Sequence, residues 1–323
     1  MSMTQAPPLV SIIIPAFNAA PVLVEALESA RVQTFQNFEA IIVDDGSTDD
    51  TTEIARRFCA GDSRFRLLRQ ANAGLPAARN TALGQANGKW IAFLDADDAW
   101  LAQKLEHQLA LAGEDARANF LFTNFYFWDG ARDLAIRYRA NRPLPDGDTS
   151  TKLIFSNMYG ISTVIVRRET ISAVGEFDKQ LFCGCEDWDL WLRIAERGLW
   201  ARGLREPLVR YRRWPGNMTS KKMTMTEAAV RVLEKNLAAT QRPESRPVYR
   251  RSLAFARAKL ELIRARYRIE TEPDTVSPAI LRAWRLYPKR VEWLLWYLLT
   301  AWPDFLGGRA TAAVIHRKMI RKW

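Results

Sequence analysis

Along the first 125 residues, short apolar runs alternate with stretches whose apolar positions recur every three to four residues. Residues 9–15 form a continuous apolar run with three isoleucines, the pattern of a strand buried on both faces. Val22, Leu23, Ala26, Leu27 and Ala30 follow at helical spacing. The alternation continues with strands predicted at 40–43, 65–68, 90–94 and 119–123, and helices at 51–60, 75–86 and 101–111. This order predicts an α/β fold, a mostly parallel Rossmann-like sheet covered by helices on both faces. Beyond residue 125 the pattern loosens. A hairpin is expected around Asp129-Gly130 over 128–139, a loop over 142–149 and strands over 161–166 and 208–212. Helices are expected over 169–174, closed by Gly175, and over 187–196, stopped by Gly198. From residue 224 onward the pattern is helical, punctuated by Pro243, Pro247, Pro273 and Pro288.

Composition narrows the class. With 323 residues and 48% hydrophobic content, the chain can bury a sizeable core, which excludes fibrous and wholly disordered proteins. Three cysteines and two histidines leave little material for a disulfide scaffold, a histidine-based zinc site or a nucleophile–histidine triad. The net charge of +11 lies in the tail: residues 1–241 carry 29 basic and 29 acidic side chains, residues 242–323 carry 18 and 7. The neutral body argues against a whole-protein nucleic-acid surface, while a basic tail suits nucleic acid, an anionic lipid surface or an acidic partner; with no zinc-finger or RNA-binding motif, nucleic acid is not expected. Residues 1–8 lack the basic region of a signal peptide, and the apolar stretch 293–303 is about half the length a bilayer needs. A cytoplasmic enzyme or a peripheral membrane protein is therefore expected.

Open α/β sheets bind ligands beyond the carboxyl ends of their strands. There the sequence places Ala16-Phe17-Asn18, then Asp44-Asp45-Gly46-Ser47, then Asp95-Ala96-Asp97-Asp98. The second group can accept hydrogen bonds from a base or ribose, or act as an Asx turn and helix cap. The third sets three carboxylates within four residues, where Mg2+ or Mn2+ would relieve their repulsion. Its plainer reading is a solvated loop with Asp98 capping a helix from Ala99. A further acidic cluster, Glu186-Asp187-Trp188-Asp189, opens a predicted helix, where carboxylates are stabilised as anions. Trp188 and Trp191 are read as core. Neither a GxGxxG fingerprint nor a phosphate loop ending in Gly-Lys-Ser/Thr is present.

These clusters, in this order, resemble family 2 of the inverting glycosyltransferases, which have the GT-A fold. The resemblance rests on residues 10–18, on Asp44-Asp45-Gly46-Ser47-Thr48-Asp49, on Asn72-Ala73-Gly74 with Ala78-Arg79-Asn80, on Asp95-Ala96-Asp97 and on Glu186-Asp187. It implies a catalytic domain over 1–221, with a nucleotide-sugar half to about 125 and an acceptor half beyond, followed by a helical region over 222–323. It implies that Pro15, Ala16 and Asn18 line the nucleotide pocket and that Asp45, beside Asp44, holds the base. Arg79 would approach the donor or steady the pocket, and Asp95 would face ribose or sugar. Asp97, with Asp95, would bind Mn2+ or Mg2+. Asp187, beside Glu186, would be the base that activates an acceptor hydroxyl for a single inverting displacement.

The implied partners are a nucleotide-diphosphate sugar, with UDP favoured, and a saccharide or lipid-linked acceptor. A transfer-inactive nucleotide-sugar-binding protein and a sugar nucleotidyltransferase are the alternatives. One departure is visible. Trp214 stands where many members carry a histidine after Tyr-Arg-x, which leaves Arg212 or Arg213 to meet the diphosphate. The aromatic segment 291–302, flanked by Lys289, Arg290, Arg309, Arg317, Lys318, Arg321 and Lys322, suits either an anionic membrane surface on the cytoplasmic face of the inner membrane or core packing.

Overall fold

The computed structural model describes residues 7–131, 133–137, 144–213, 217–268 and 275–290. Trp214 and the segment 291–323, with its aromatic run and distal cations, lie outside the described residues. The chain divides into two compact units: Met1–Phe182 with Glu186–Asn217, and Cys183–Cys185 with Met218–Trp323.

The first unit is built on a mixed, largely parallel sheet flanked by helices. Strands β1 (Val10–Ala16), β2 (Phe38–Asp44), β3 (Phe65–Arg69) and β4 (Trp90–Phe93) run parallel in the order β3-β2-β1-β4. Helices α1 (Leu23–Arg31), α2 (Thr51–Gly61) and α3 (Leu75–Leu83) make the crossovers. The apolar run of β1 is continuous because both faces are covered. Ile12 and Ile14 join Leu23, Leu27 and Ile42 in one cluster, while Ile13 and Ile41 are equally buried outside it. Each such side chain contributes about 1.5–3 kcal/mol on burial.

The sheet continues past β4 with strands from the later sequence. β6 (Phe120–Trp128) is parallel to β9 (Ala201–Arg212), while β8 (Ile165–Arg167) is antiparallel to both β4 and β6. The short β5 (Ala99–Trp100) adds antiparallel to the far side of β9, and β7 (Asp133–Arg137) forms the expected hairpin with β6. Helices α4 (Lys104–Glu114), α5 (Ser150–Phe155), α6 (Arg168–Val174) and α7 (Glu186–Arg197) complete the unit. Gly175 and Gly198 end α6 and α7 with φ of 82° and 111°.

Three expectations are corrected. The apolar stretch 161–166 is not one strand. It is a 3-10 turn, Ile161–Thr163, followed by β8, because the Thr163 N–H and hydroxyl both turn back onto the Gly160 carbonyl. No helix starts at Ala99: those two residues form β5, and α4 begins at Lys104. The last strand is also longer than 208–212, since the Arg-, Gly- and Glu-bearing stretch from Ala201 pairs with β6 despite its polarity.

The second unit is helical: α8 (Lys222–Ala239), α9 (Ser245–Arg268) and α10 (Val276–Leu286). Small side chains let α9 and α10 approach closely, with Ala258, Ala265, Ala279, Ile280 and Ala283 buried between Phe255, Leu262 and Trp284. The Cys183-Gly184-Cys185 loop belongs to this unit. The Cys185 thiol faces the Met225 carbonyl at 3.7 Å, and Gly184 packs against the Met225 and Met218 sulfurs. No helix among the described residues is long and apolar enough to cross a membrane.

Candidate active site

β1, β2 and β4 are neighbours, so the loops that follow them leave the same edge of the sheet. Ala16 lies opposite Asp44 in register, and the Asp45 N–H donates to the Ala16 carbonyl at 2.9 Å. Pro15 and Ala16 are buried in β1. Asn18 is exposed and takes a left-handed φ of 47°, which suits asparagine among non-glycine residues. Its N–H donates to the Ser47 hydroxyl at 3.0 Å, and its Oδ1 accepts the Thr48 N–H at 2.9 Å. The first two loops are therefore stitched together.

Asp44 and Asp45 are both buried and do different work. Asp44 accepts the Ser47 N–H at 2.9 Å and the Thr52 hydroxyl, with Arg69 at 3.3 Å. Burial alone would raise its pKa, but these partners outweigh it and hold the carboxyl below its ordinary range. Asp45 accepts from Gln70 Nε2 at 2.7 Å, the Ala73 N–H at 2.9 Å and the Gly74 N–H at 2.9 Å. Asp45 thus shapes the loop ahead of α3, and a base N–H would share an oxygen that already accepts. Gly46 has no substitute here: its φ is +78°, and a Cβ would stand 2.7 Å from the Asn72 nitrogen.

The three carboxylates after β4 separate by role. Asp98 is fully enclosed rather than capping a helix. It accepts the Ser162 hydroxyl at 2.6 Å and the Arg212 N–H at 3.0 Å. Burial, reinforced by Asp97 and Asp95, pushes its pKa well up. Asp95 and Asp97 stay partly exposed. The Asp95 N–H donates to the same Ser162 hydroxyl at 3.1 Å, and the Asp97 carbonyl accepts from Arg212 Nε at 2.8 Å. Ser162 and Arg212 thus brace the loop from behind.

Among the described residues no three His, Cys, Asp or Glu side chains converge as a metal cage. Two partly exposed carboxylates do fit a Mg2+ or Mn2+ ion that takes its other oxygens from water and a diphosphate.

Arg79 joins this loop to α7. It is 1% exposed, pairs with Asp95 at 2.7 Å through one terminal nitrogen, and with buried Glu186 through the other. Burial works against its charge, and Asp95 with Glu186 more than restores it. Next to Glu186, Asp187 is partly buried and accepts Asn157 Nδ2 at 2.9 Å and the Trp188 N–H at 2.7 Å. Burial first, then the charge of Glu186, push its pKa up to about 7. Asp189 is structural: it pairs with Arg193 at 2.9 Å, and that guanidinium caps the carbonyls of Val174, Gly175 and Glu176. Trp191 is buried edge-on against Phe93 and Phe120, and Trp188 donates to the Leu153 carbonyl at 2.8 Å, so both are core.

The structure thus brings Asp95, Arg79, Glu186 and Asp187 into one chain of contacts and links Asn18 to the Asp44-Asp45 loop. It does not bring Arg213 to them. Arg213 is exposed over the Phe127 ring at 4.9 Å and forms no ion pair among the described residues. Sequence reasoning missed Asn157, which lies where hydrophobic periodicity gives no cue, and Ser162, which lies inside the apolar stretch read as a strand. It also missed Gln70, and left Asn80 unexplained within its motif. Asn80 exchanges two hydrogen bonds with the Phe177 backbone, at 2.8 and 2.9 Å, and ties α3 to the segment before α7.

Comparison with known proteins bears on the family and the fold. The sequence profile described as glycosyl transferase family 2 matches residues 11–169. The Escherichia coli enzyme WfaP, a UDP-Glc:alpha-D-GlcNAc-diphosphoundecaprenol beta-1,3-glucosyltransferase, is 35% identical over 66% of this chain and 81% of its own. S. aureus TarS, solved with UDP-GlcNAc, superimposes with a TM-score of 0.64 at 18% identity, over 96% of this chain and 92% of that one. The Pyrobaculum calidifontis mannosyltransferase PcManGT, solved with GDP-Man and Mn2+, gives 0.61 at 20% identity over 93% and 87%. At such identities these two likenesses concern the fold. The match to WfaP over four-fifths of its length, together with the profile match, establishes membership: the chain belongs to glycosyl transferase family 2 and is a glycosyltransferase.

Proposed function

We propose that the chain moves a sugar from a nucleoside-diphosphate donor, a UDP-sugar in first place, to a hydroxyl on a saccharide or lipid-linked saccharide, with inversion. The observation that carries this reading is Asp187: a carboxylate at the start of α7 with a pKa of about 7, tied through Glu186 and Arg79 to Asp95 at the donor end of the sheet. A general base works best with a pKa near the working pH. Asp187 takes the acceptor hydroxyl's proton as that oxygen attacks the anomeric carbon. The bond to the diphosphate oxygen breaks on the opposite face, and the nucleoside diphosphate leaves. Asn157 orients the carboxylate through its 2.9 Å hydrogen bond.

Asn18, Asp45 and the loop they hold form the nucleotide end, and Asp95 and Asp97 the diphosphate end. A Mn2+ or Mg2+ ion held by Asp97 and Asp95 would neutralise charge on the leaving diphosphate. The reaction of WfaP, from UDP-Glc to a diphosphoundecaprenol-linked sugar, supports a UDP-sugar donor and a diphosphate-lipid acceptor. A lipid-linked acceptor and the basic C-terminal region suit a peripheral protein at the cytoplasmic face of the inner membrane. Arg213, next to the Arg212 that donates to the Asp97 carbonyl, would meet the diphosphate.

The test is a panel of UDP-, GDP- and dTDP-sugars with and without Mn2+ or Mg2+, read by thermal stabilisation and product formation. One nucleotide class should stabilise the protein in a metal-dependent way that Asp97→Ala abolishes. Asp187→Asn should bind the donor and fail to transfer. Transfer retained by Asp187→Asn, or donor binding unaffected by Asp97→Ala, would overturn the corresponding role.

A further inference from the structure

Arg79 sits in the donor half of the first unit, yet its two partners come from opposite ends of the reaction. Asp95 lies 16 residues away along the chain and Glu186 lies 107 away. At 1% exposure the guanidinium has no open face for a ligand: Phe177 covers it at 5.4 Å, and its Nε–H is buried without a partner. Three carboxylates share its one positive charge, namely Asp95 after β4 and Glu186 and Asp187 on α7. The other groups near Asp187 offer no substitute. Asn157, from the loop after α5, is neutral, and Asp189 on α7 is already paired with Arg193.

We infer that Arg79 is a positioning residue rather than a donor ligand: its buried charge ties the donor-side carboxylate to the base helix and lets Glu186 and Asp187 lie side by side. This rests on the reading of Asp187 as the base. Two adjacent carboxylates at a buried helix start repel, and without a counter-charge one of them takes up a proton. The planar fork of arginine serves two carboxylates in different directions, whereas the ammonium of lysine is a single point charge. Loss of Arg79 therefore acts on proton affinity at Asp187 and on the placement of α7, with donor affinity affected less.

The experiment compares kcat against pH for the wild type, Arg79→Lys, Arg79→Met and Glu186→Gln, with donor affinity measured in parallel. Removing an opposite charge that acts on a carboxylate raises it by roughly 1–3 units, so the acidic limb of Arg79→Met should move up by about that much. Arg79→Lys should move it less, with partial recovery of kcat. Glu186→Gln removes a like charge and should move the limb down.

Where Arg79→Met does not fold, the opposite shifts of Arg79→Lys and Glu186→Gln carry the test. A limb that stays in place in both, or an Arg79→Lys defect confined to donor KM, would overturn the inference. Asp187→Asn run alongside separates the two readings. If it is inactive while the limbs of the other variants stay fixed, only the role of Arg79 is lost. If it retains transfer, the base assignment is wrong and both readings fall.

Discussion

Replacing Asp187 with asparagine should abolish transfer and, at neutral pH, make the protein more stable. The native state holds this carboxyl at a pKa of about 7 against an ordinary 3.8, so it binds a proton more tightly than the unfolded chain does. Between roughly pH 4 and pH 7 the unfolded state ionises Asp187 freely while the native state resists, so stability falls as pH rises through that window. About three units at 1.36 kcal/mol each amount to about 4 kcal/mol, fully lost above pH 7. Asparagine escapes that penalty but has one acceptor oxygen for two donors, Asn157 Nδ2 and the Trp188 N–H. An orphaned donor costs about 1–2 kcal/mol.

The variant should therefore be slightly less stable than the wild type near pH 4, cross it near pH 5, and exceed it by roughly 2–3 kcal/mol at pH 8. Urea denaturation of both proteins at pH 4, 5, 6, 7 and 8 measures the difference directly, and titrating groups remote from Asp187 cancel in it. A stability difference that does not change with pH would refute the assignment of a raised pKa to Asp187.

Three further outcomes are expected. In the wild type, kcat should rise with pH along a limb centred near 7, so that lowering the pH from 7 to 6 costs several-fold in rate; a flat profile down to pH 5 would contradict the base assignment. Asn80→Ala leaves the buried N–H and carbonyl of Phe177 unpaired and should cost about 2–4 kcal/mol in urea denaturation. Gly46→Ala combines a φ of +78° with a Cβ 2.7 Å from the Asn72 nitrogen, and should lower stability by roughly 1–3 kcal/mol and weaken donor binding in titration calorimetry.

The elements that could be read in advance are those with one dominant physical cause. β1, β2 and β4 are buried on both faces, so their apolar runs are continuous, and α1 packs one stripe against them. β5 and α5, of two and six residues, are too short for any period to show. β9 disguises itself because most of its first six residues are not fully buried. Within the site, residue type was legible and division of labour was not. Asp95, Asp97 and Asp98 look alike along the chain, and only the hydroxyl of Ser162 and the backbone of Arg212 make Asp98 a buried brace. Arg79 could be located by its motif, but its pairing with Glu186 depends on how α3 and α7 meet in space.

The sheet also constrains how the protein is made. Strands β1 to β4 and their three helices come from one continuous stretch of chain, and these four strands pair with one another. As synthesis proceeds they can assemble before the later strands leave the ribosome, as N-terminal regions generally do. Until β8 arrives, β4 is a bare edge of four apolar residues, Trp90–Phe93, with unpaired backbone groups facing outward. Ribosomes paused between β6 and β8 therefore hold a nascent chain with an open, sticky sheet. In that interval Arg79 already has Asp95 but not Glu186. Misassembly and chaperone demand should concentrate there, and slow codons would be least tolerated in that part of the message.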